Sequence, residues 1–403
     1  MNIKEERFLL LLHLFKKLDF KETIPLIFSM IKYYSRPKDG GVCETMHLRK
    51  LSTFTYLIVF LTLTAFVAGC IPQSQNNNEP QEIKPVIETA FLMGTIAKIT
   101  IFDEVKDKEI FQKAFDRISE IEDKMTIAKD NEKSEIIQLN NFAGKEYMNL
   151  SPETFYVLEK GKYYSELSDG KFDITIGPLV KLWKIGTEQA ALPEKIQIAN
   201  TLPLINHKNL ILDRDSHSAK LNAPDMIVDL GAIAKGYAAD EAAKILKEAG
   251  INHAIINLGG NILTLNTKPD GTNWKLGLQD PYEPRGDYMG IVSLNDQALV
   301  SSGIYERYFE LDGKRYHHIL NPQTGYPEEN PILSVSIITK DSIDADALST
   351  TIFLLGLENG MQMIENLPST EAIFITSDNK VYVSSGINEK NFEISKDKFK
   401  LQR

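Results

Sequence analysis

The chain has 403 residues, 45 of them Lys or Arg and 55 Asp or Glu, for a formal net charge of −10 at pH 7. A balance this acidic gives nucleic acid no electrostatic footprint to bind. The only 2 cysteines, Cys43 and Cys70, exclude a disulfide framework and a cysteine-built zinc site.

Residues 1–45 hold the apolar run Phe8-Leu9-Leu10-Leu11-Leu12 and the basic pair Lys16-Lys17, enough for a short amphipathic helix. Secretory signals do not normally carry such a leader, so translation from Met46 is the expectation and the stretch is set aside from the fold. From Met46 to residue 69 the layout is that of a signal peptide. Arg49 and Lys50 precede an uncharged run from Leu51 to Gly69, and the small residues Ala68 and Gly69 precede Cys70. Small residues followed by cysteine resemble the bacterial lipobox, which implies lipidation of Cys70 and a lipid-anchored protein on the extracytoplasmic face of the cell membrane. A transmembrane anchor is the other reading, since 19 uncharged residues just span a bilayer. Gln73-Ser74-Gln75-Asn76-Asn77-Asn78 reads as part of a flexible tether over 70–85. Without residues 1–69 the chain carries 35 basic and 49 acidic residues, a charge near −14. About 320 residues remain past the tether, enough for one large or two modest cores.

Residues 91–102 alternate apolar and polar side chains, which predicts a strand. Residues 107–125 set Ile110, Phe111, Ala114, Phe115, Ile118 and Ile121 at helical spacing, one buried face. Ser151-Pro152-Glu153 opens a second helix, with serine at the cap and proline at the first position. Met226-Ile227-Val228 reads as the end of a buried strand, and a third helix is predicted over 232–249, stopped by Gly250. Strands follow over 253–265 and 298–301. Residues 344–355 and 360–366 read as helices, and 372–376 with 381–384 as a closing hairpin around Asp378-Asn379. Helices and strands alternate without a regular βαβ rhythm, so the fold class is α+β.

Asp229-Leu230-Gly231-Ala232-Ile233-Ala234-Lys235-Gly236 leads into the third helix. A small-residue turn at a helix mouth is a ready anion site, because unpaired N–H groups and the helix dipole face the ligand. Lys235 opposes the preference for acidic residues in a first turn, and a phosphate would give it a purpose. Taken alone, the segment reads as an Asp229 N-cap, close-packing glycines and a solvent-facing lysine. Gly170-Lys171-Phe172-Asp173-Ile174-Thr175-Ile176-Gly177-Pro178 sets an aromatic ring and a carboxylate before a Gly-Pro turn. That pair suits a flat ring held by stacking and by bonds to its edge, or an ordinary strand ending in a turn. Asn257-Leu258-Gly259-Gly260-Asn261 permits positive φ or close ligand approach.

Two of the 7 histidines stand together in Tyr316-His317-His318-Ile319-Leu320-Asn321-Pro322-Gln323-Thr324-Gly325. Neighbours in a strand face opposite ways, so at most one of them reaches a given site as a general base or phosphate ligand. In Asp344-Ala345-Asp346-Ala347-Leu348-Ser349-Thr350 a helix puts Asp346 and Thr350 on one face. Such a pair suits Mg²⁺, which completes its shell with phosphate and water, or else Asp344 caps the helix and Asp346 is exposed.

In this order the segments resemble the ApbE family of FAD:protein FMN transferases, also described as flavin-trafficking lipoproteins. The resemblance runs from about Phe91 to the last hairpin. It includes Met93-Gly94-Thr95, Ser134-Glu135-Ile136 with Leu139-Asn140, and Ser302-Gly303 with Tyr305, Arg307 and Tyr308. It implies a catalytic domain over 86–395, built of mixed sheets and packed helices with the FAD site in a cleft between subdomains. The implied activity is Mg²⁺-dependent transfer of FMN from FAD, the substrate, to a Ser or Thr hydroxyl of a target flavoprotein, with release of AMP. An extracytoplasmic location suggests an acceptor among membrane electron-transport flavoproteins.

The matching FAD positions are Met93, Lys171, Phe172, Asp173, Asp229, Lys235 and Ile319. The matching metal positions are Ala232 through its main-chain oxygen, Asp346 and Thr350. His318 is the expected base for the acceptor hydroxyl, with Asp229 in reserve. Two positions depart from the family pattern. Ser349 stands where some members carry a second acidic residue, and Ile127 and Ala128 offer no aromatic face where many members have one. The same residues would serve an FAD pyrophosphatase that releases FMN and AMP. A flavin-binding lipoprotein without chemistry is disfavoured by the Asp346/Thr350 pair, since storage needs no metal beside the phosphates.

Overall fold

The computed structural model describes residues 84–128 and 133–402. Cys70, the signal-like segment 46–69, the leader 1–45 and the tether up to residue 83 lie outside the described residues. The main sheet has nine strands: β1 (Val86–Leu92), β2 (Thr95–Ile101), β3 (Ala254–Leu258), β4 (Asn261–Leu265), β5 (Ala298–Gly303), β6 (Ile332–Thr339), β7 (Glu371–Thr376), β8 (Lys380–Val383) and β9 (Lys400–Gln402). They lie side by side in chain order, antiparallel throughout except for the parallel pair β8 and β9. A sheet laid down in this order needs a crossover only for the last, parallel pair, and its variety lies in what is inserted between neighbours.

Three insertions matter for the site. Between β2 and β3 run α1 (Glu109–Met125), α2 (Glu135–Asn141), α3 (Pro152–Leu167), α4 (Gly177–Trp183), α5 (Lys195–Thr201) and α6 (Ala234–Glu248). Between β5 and β6 comes a hairpin of Tyr308–Leu311 and Lys314–His317 with a long loop after it. Between β6 and β7 lies α7 (Ser342–Glu365). The expected α+β class holds.

Strand alternation divides the sheet's side chains between two cores. Val335 and Ile337 of β6 and Phe374 of β7 face the helices, whereas Ile338, Ile373 and Ile375 face a smaller sheet of Trp274–Gln279, Tyr288–Leu294 and Phe392–Ile394. On the helical side α1 buries the stripe its spacing predicts, from Ile110 through Ile121. α6 buries Ala238, Ala239, Ala242 and Ala243, whose short side chains let it lie close to both α1 and α7.

Several expected elements differ in detail. The strand predicted over 91–102 is a hairpin, β1 pairing with β2 from Val86↔Ile101 to Leu92↔Thr95. Its turn residues Met93 and Gly94 have φ of 52° and 67°, the positive pair that a two-residue hairpin turn requires. Met226-Ile227-Val228 is not a regular strand, since only Ile227 pairs, through one parallel bridge to Ile176. Asn140 takes the place of a partner strand. Its Nδ2 donates to the Val228 carbonyl at 3.0 Å and its Oδ1 accepts the Val228 N–H at 2.7 Å.

The third helix, α6, begins at Ala234 after a turn over 231–233. The two helices expected over 344–366 are one run broken at Gly356, with φ 79° and ψ 177°. The last strand of the sheet, β9, lies past the expected domain boundary at 395.

Candidate functional site

The site is assembled where the first turns of α6 and α7 meet. The Ser342 and Ile343 N–H groups, free at the start of α7, each donate at 2.8 Å to the Asp240 carboxylate on α6. Asp344, expected as a possible cap, instead accepts from Lys160 Nζ at 2.7 Å and the Tyr164 hydroxyl at 2.8 Å on α3. Gly236 permits the contact between the two helices. A Cβ there would lie 2.3 Å from the Ser342 carbonyl oxygen and 2.6 Å from Ile343 Cα. Gly236→Ala is therefore expected to destabilise the fold by about 1–3 kcal/mol through overpacking. Thermal unfolding measures this, and an unchanged midpoint would mean that α6 and α7 do not meet in this way.

The alternative in which Asp346 is exposed does not hold, for its side chain is buried at 4 % relative exposure. Oδ2 accepts the Gly236 N–H at 2.9 Å and Oδ1 lies 3.5 Å from Lys235 Nζ, partners that a buried carboxylate needs. In a continuous helix the Gly236 N–H would reach the Ala232 carbonyl four residues back. Its diversion to Asp346 leaves the Ala232 carbonyl without a backbone donor among the described residues.

A half-buried Asp229 precedes this turn. It is not the helix N-cap that the segment alone suggests, because its Oδ1 accepts the Gly231 N–H at 2.8 Å, a local turn five residues before α6. Burial pushes its carboxyl up from the usual range, while the Gly231 N–H and then Arg307, Lys181 and Lys235 pull it back.

The two histidines divide as strand alternation predicts. His317 is buried, with Nδ1 accepting the Ile319 N–H at 3.3 Å and Nε2 donating to the Glu328 carbonyl at 3.0 Å. His318 is half-buried, and its main-chain N–H and Nδ1 reach the Arg307 carbonyl at 3.1 and 3.2 Å. A carbonyl only accepts, so Nδ1 carries the proton and Nε2 keeps a free lone pair. Burial, and after it the Arg307 guanidinium, push His318 down to about 4, so the ring is neutral at neutral pH. The loop that follows is fixed from within and from α4. Asn321 Oδ1 accepts the Gln323 and Thr324 N–H groups at 2.8 and 3.1 Å, and the Gly325 carbonyl accepts Trp183 Nε1 at 2.8 Å.

Phe172 and Asp173 are arranged differently from a ring-binding pair. Phe172 lies in the main core at 3 % exposure and has no face to stack on a ligand. Asp173 accepts from the Thr175 N–H and hydroxyl at 2.8 and 2.6 Å and from the His207 N–H at 2.8 Å. Both side chains shape the loop, and Lys171 before them is half-buried. Ile319 is likewise a core side chain. Met93 sits on the β1–β2 turn, where its N–H donates to Glu122 Oε2 of α1 at 2.7 Å. Neither Met93 nor Lys171 has a hydrogen bond or ion pair with Lys235, Asp346 or His318. Sequence reasoning did not single out Glu122, and it noted Asn140 and Arg307 without giving them a role.

Mg²⁺ takes few protein oxygens and keeps water or phosphate. The Asp346 carboxylate, the Thr350 hydroxyl and the undonated Ala232 carbonyl fit that demand. No group of three or more His, Cys, Asp or Glu that could hold a metal occurs among the described residues, so a cation here would draw its other oxygens from substrate and water. Ser349 does not stand in for a second acidic ligand. It is fully buried, donates to the Asp346 main-chain oxygen at 2.8 Å, and lies 2.8 Å from Ser302 Oγ on β5. Ser302 Oγ is also 3.2 Å from Thr350 Oγ1, which ties the hydroxyl to the sheet.

Residues 93–374 match the model of the ApbE family. A protein of Klebsiella pneumoniae (strain 342) described as FAD:protein FMN transferase is 37% identical over 297 residues, 74% of this chain and 91% of that protein. One of Treponema pallidum (strain Nichols) with the same description is 32% identical over 315 residues, covering 74% and 86%. Among solved structures, the ApbE protein of Thermotoga maritima superposes with a TM-score of 0.68 at 29% identity, over 75% of this chain and 98% of that one. The flavin transferase ApbE of Vibrio cholerae gives 0.67 at 27% identity, over 75% and 97%. With Lys235, Asp346 and His318 set at the helix mouth and loop where the sequence motifs lie, and with this extent of likeness, the chain belongs to the ApbE family.

Proposed function

We propose that the protein transfers FMN from FAD to a Ser or Thr hydroxyl of a target protein and releases AMP. The observation that carries this reading is the position of Lys235. Its ammonium lies 3.5 Å from Asp346 Oδ1 in the first turn of α6, so a cation stands beside the candidate metal ligand at a helix mouth suited to the diphosphate.

The acceptor hydroxyl oxygen attacks the phosphorus on the riboflavin side of FAD. A new P–O bond forms, the bond from that phosphorus to the bridging oxygen breaks, and AMP departs with the bridging oxygen. His318 Nε2, unprotonated and free of internal partners, takes the hydroxyl proton. Lys235 and the N–H groups at the mouth of α6 offset the diphosphate charge as it shifts toward AMP. Asp346, Thr350 and the Ala232 carbonyl would hold Mg²⁺, which would supply further positive charge to the diphosphate.

In this reading Cys70 is lipidated and the domain works outside the cytoplasm, where covalent attachment keeps flavin on a membrane electron-transport flavoprotein. The support is the basic, apolar and small-residue layout of 46–70. Incubation with FAD, Mg²⁺ and a fragment of such an acceptor is expected to raise the acceptor mass by one FMN and to release AMP in equal amount. Free FMN and AMP without an adduct would make the protein a pyrophosphatase, and unchanged FAD would make it a storage protein.

A further inference from the structure

Five arginines fall within the described residues, and four are ion-paired: Arg117, Arg214, Arg285 and Arg315, each with glutamate. Arg307 is the exception among the described residues, its guanidinium having neither an ion pair nor a hydrogen bond. Lys181 on α4 is in the same position. Arg307 and Lys181 both act on the half-buried Asp229, whose carboxyl they pull down.

The path of Arg307 is kept open. Its Cδ passes 3.1 Å from where a Cβ of Gly186 would stand, and Gly186 has a φ of 91°, so the loop after α4 carries no side chain across the arginine stem. The same residue's carbonyl accepts both His318 N–H groups described above. A guanidinium outside any ion pair, planar and always charged, is the side chain best matched to two phosphate oxygens.

We propose that Arg307 is an anion-binding arm that receives a phosphate of the FAD substrate and couples its arrival to His318. The proposal rests on the transfer reading for the identity of the substrate. The charged or titratable groups acting on His318 are Arg307, His317 and Lys235, and Arg307 weighs most among them. While its guanidinium is bare it opposes protonation of the ring. A phosphate that neutralises it relaxes that opposition, so the base strengthens when substrate is seated.

The test compares FAD and riboflavin binding, by quenching of flavin fluorescence, in wild type, Arg307→Ala and Arg307→Lys. Riboflavin lacks the phosphates, so the ratio of the two affinities reads the arm alone. Arg307→Ala is expected to lower FAD affinity about 10–100-fold with riboflavin affinity unchanged, and Arg307→Lys to lose less. In kcat/KM, which reports the free enzyme, the acid limb should move to higher pH in Arg307→Ala and stay in place in Arg307→Lys. Unchanged FAD affinity in Arg307→Ala, or an equal loss for FAD and riboflavin, would overturn the proposal. If wild type forms no acceptor adduct while Arg307→Ala still loses FAD selectively, the transfer reading fails and the arm stands.

Discussion

Replacing His318 with alanine is expected to slow FMN transfer about 10²–10⁴-fold while FAD still binds. The expectation follows from geometry first. The Arg307 carbonyl holds Nδ1, leaving Nε2 as the nitrogen able to take a proton. Electrostatics then keep it ready, since burial and the Arg307 charge push the group down to about 4. The active form is the neutral ring, so kcat/KM, which reports the free enzyme, should persist as pH falls below the ordinary histidine value of about 6.5 and fail only as pH nears 4. Adduct mass against time measures the rate, and fluorescence quenching measures binding. Transfer at the wild-type rate would remove His318 from the mechanism and leave Asp229 as the base. The same shift bears on stability. His317 and His318 are both pushed down to about 4, so an unfolded chain binds more protons than the folded one between that value and about 6.5. The stability they contribute is full above the upper value and is lost as pH falls through the lower one.

Asp346→Asn should abolish the dependence of FAD binding on Mg²⁺ and reduce transfer at least about 100-fold. The substitution is nearly isosteric, and an amide oxygen can still accept the Gly236 N–H now held at 2.9 Å. The packing of α6 on α7 is thus retained, and what disappears is the charge. Wild type is expected to bind FAD more tightly when Mg²⁺ is added, and the variant equally with and without it. The same Mg²⁺ response in both proteins would exclude Asp346 as a ligand. A large drop in the unfolding midpoint would instead assign it a purely structural role.

Periodic features could be read from the sequence because burial on one face writes itself into spacing. The stripe of α1, the Asp346/Thr350 pair one turn apart and the opposed faces of His317 and His318 are of this kind. Features that depend on distant chain segments left no such trace. Asn140 holds Val228 across 88 positions, and the diversion of the Gly236 N–H to Asp346 spans 110. The turn at Met93 was hidden because methionine is not a residue that announces a positive φ. Phe172 shows a different limit, since an aromatic beside an aspartate gives one local pattern whether its ring faces a ligand or, as here, the core.

Lys235 has a consequence for how the buried Asp346 carboxylate is balanced. With Oδ2 engaged by a main-chain N–H, Asp346 has one oxygen to offer, and Lys235 stands near it. The lysine is a counterion that spares the fold a bare buried carboxylate. A cation held by Asp346, as proposed, would contend with Lys235 for the same oxygen, and the displaced ammonium would be free to pair with the substrate's phosphates. On that proposal, loading the metal and tightening the grip on FAD would be a single exchange of partners.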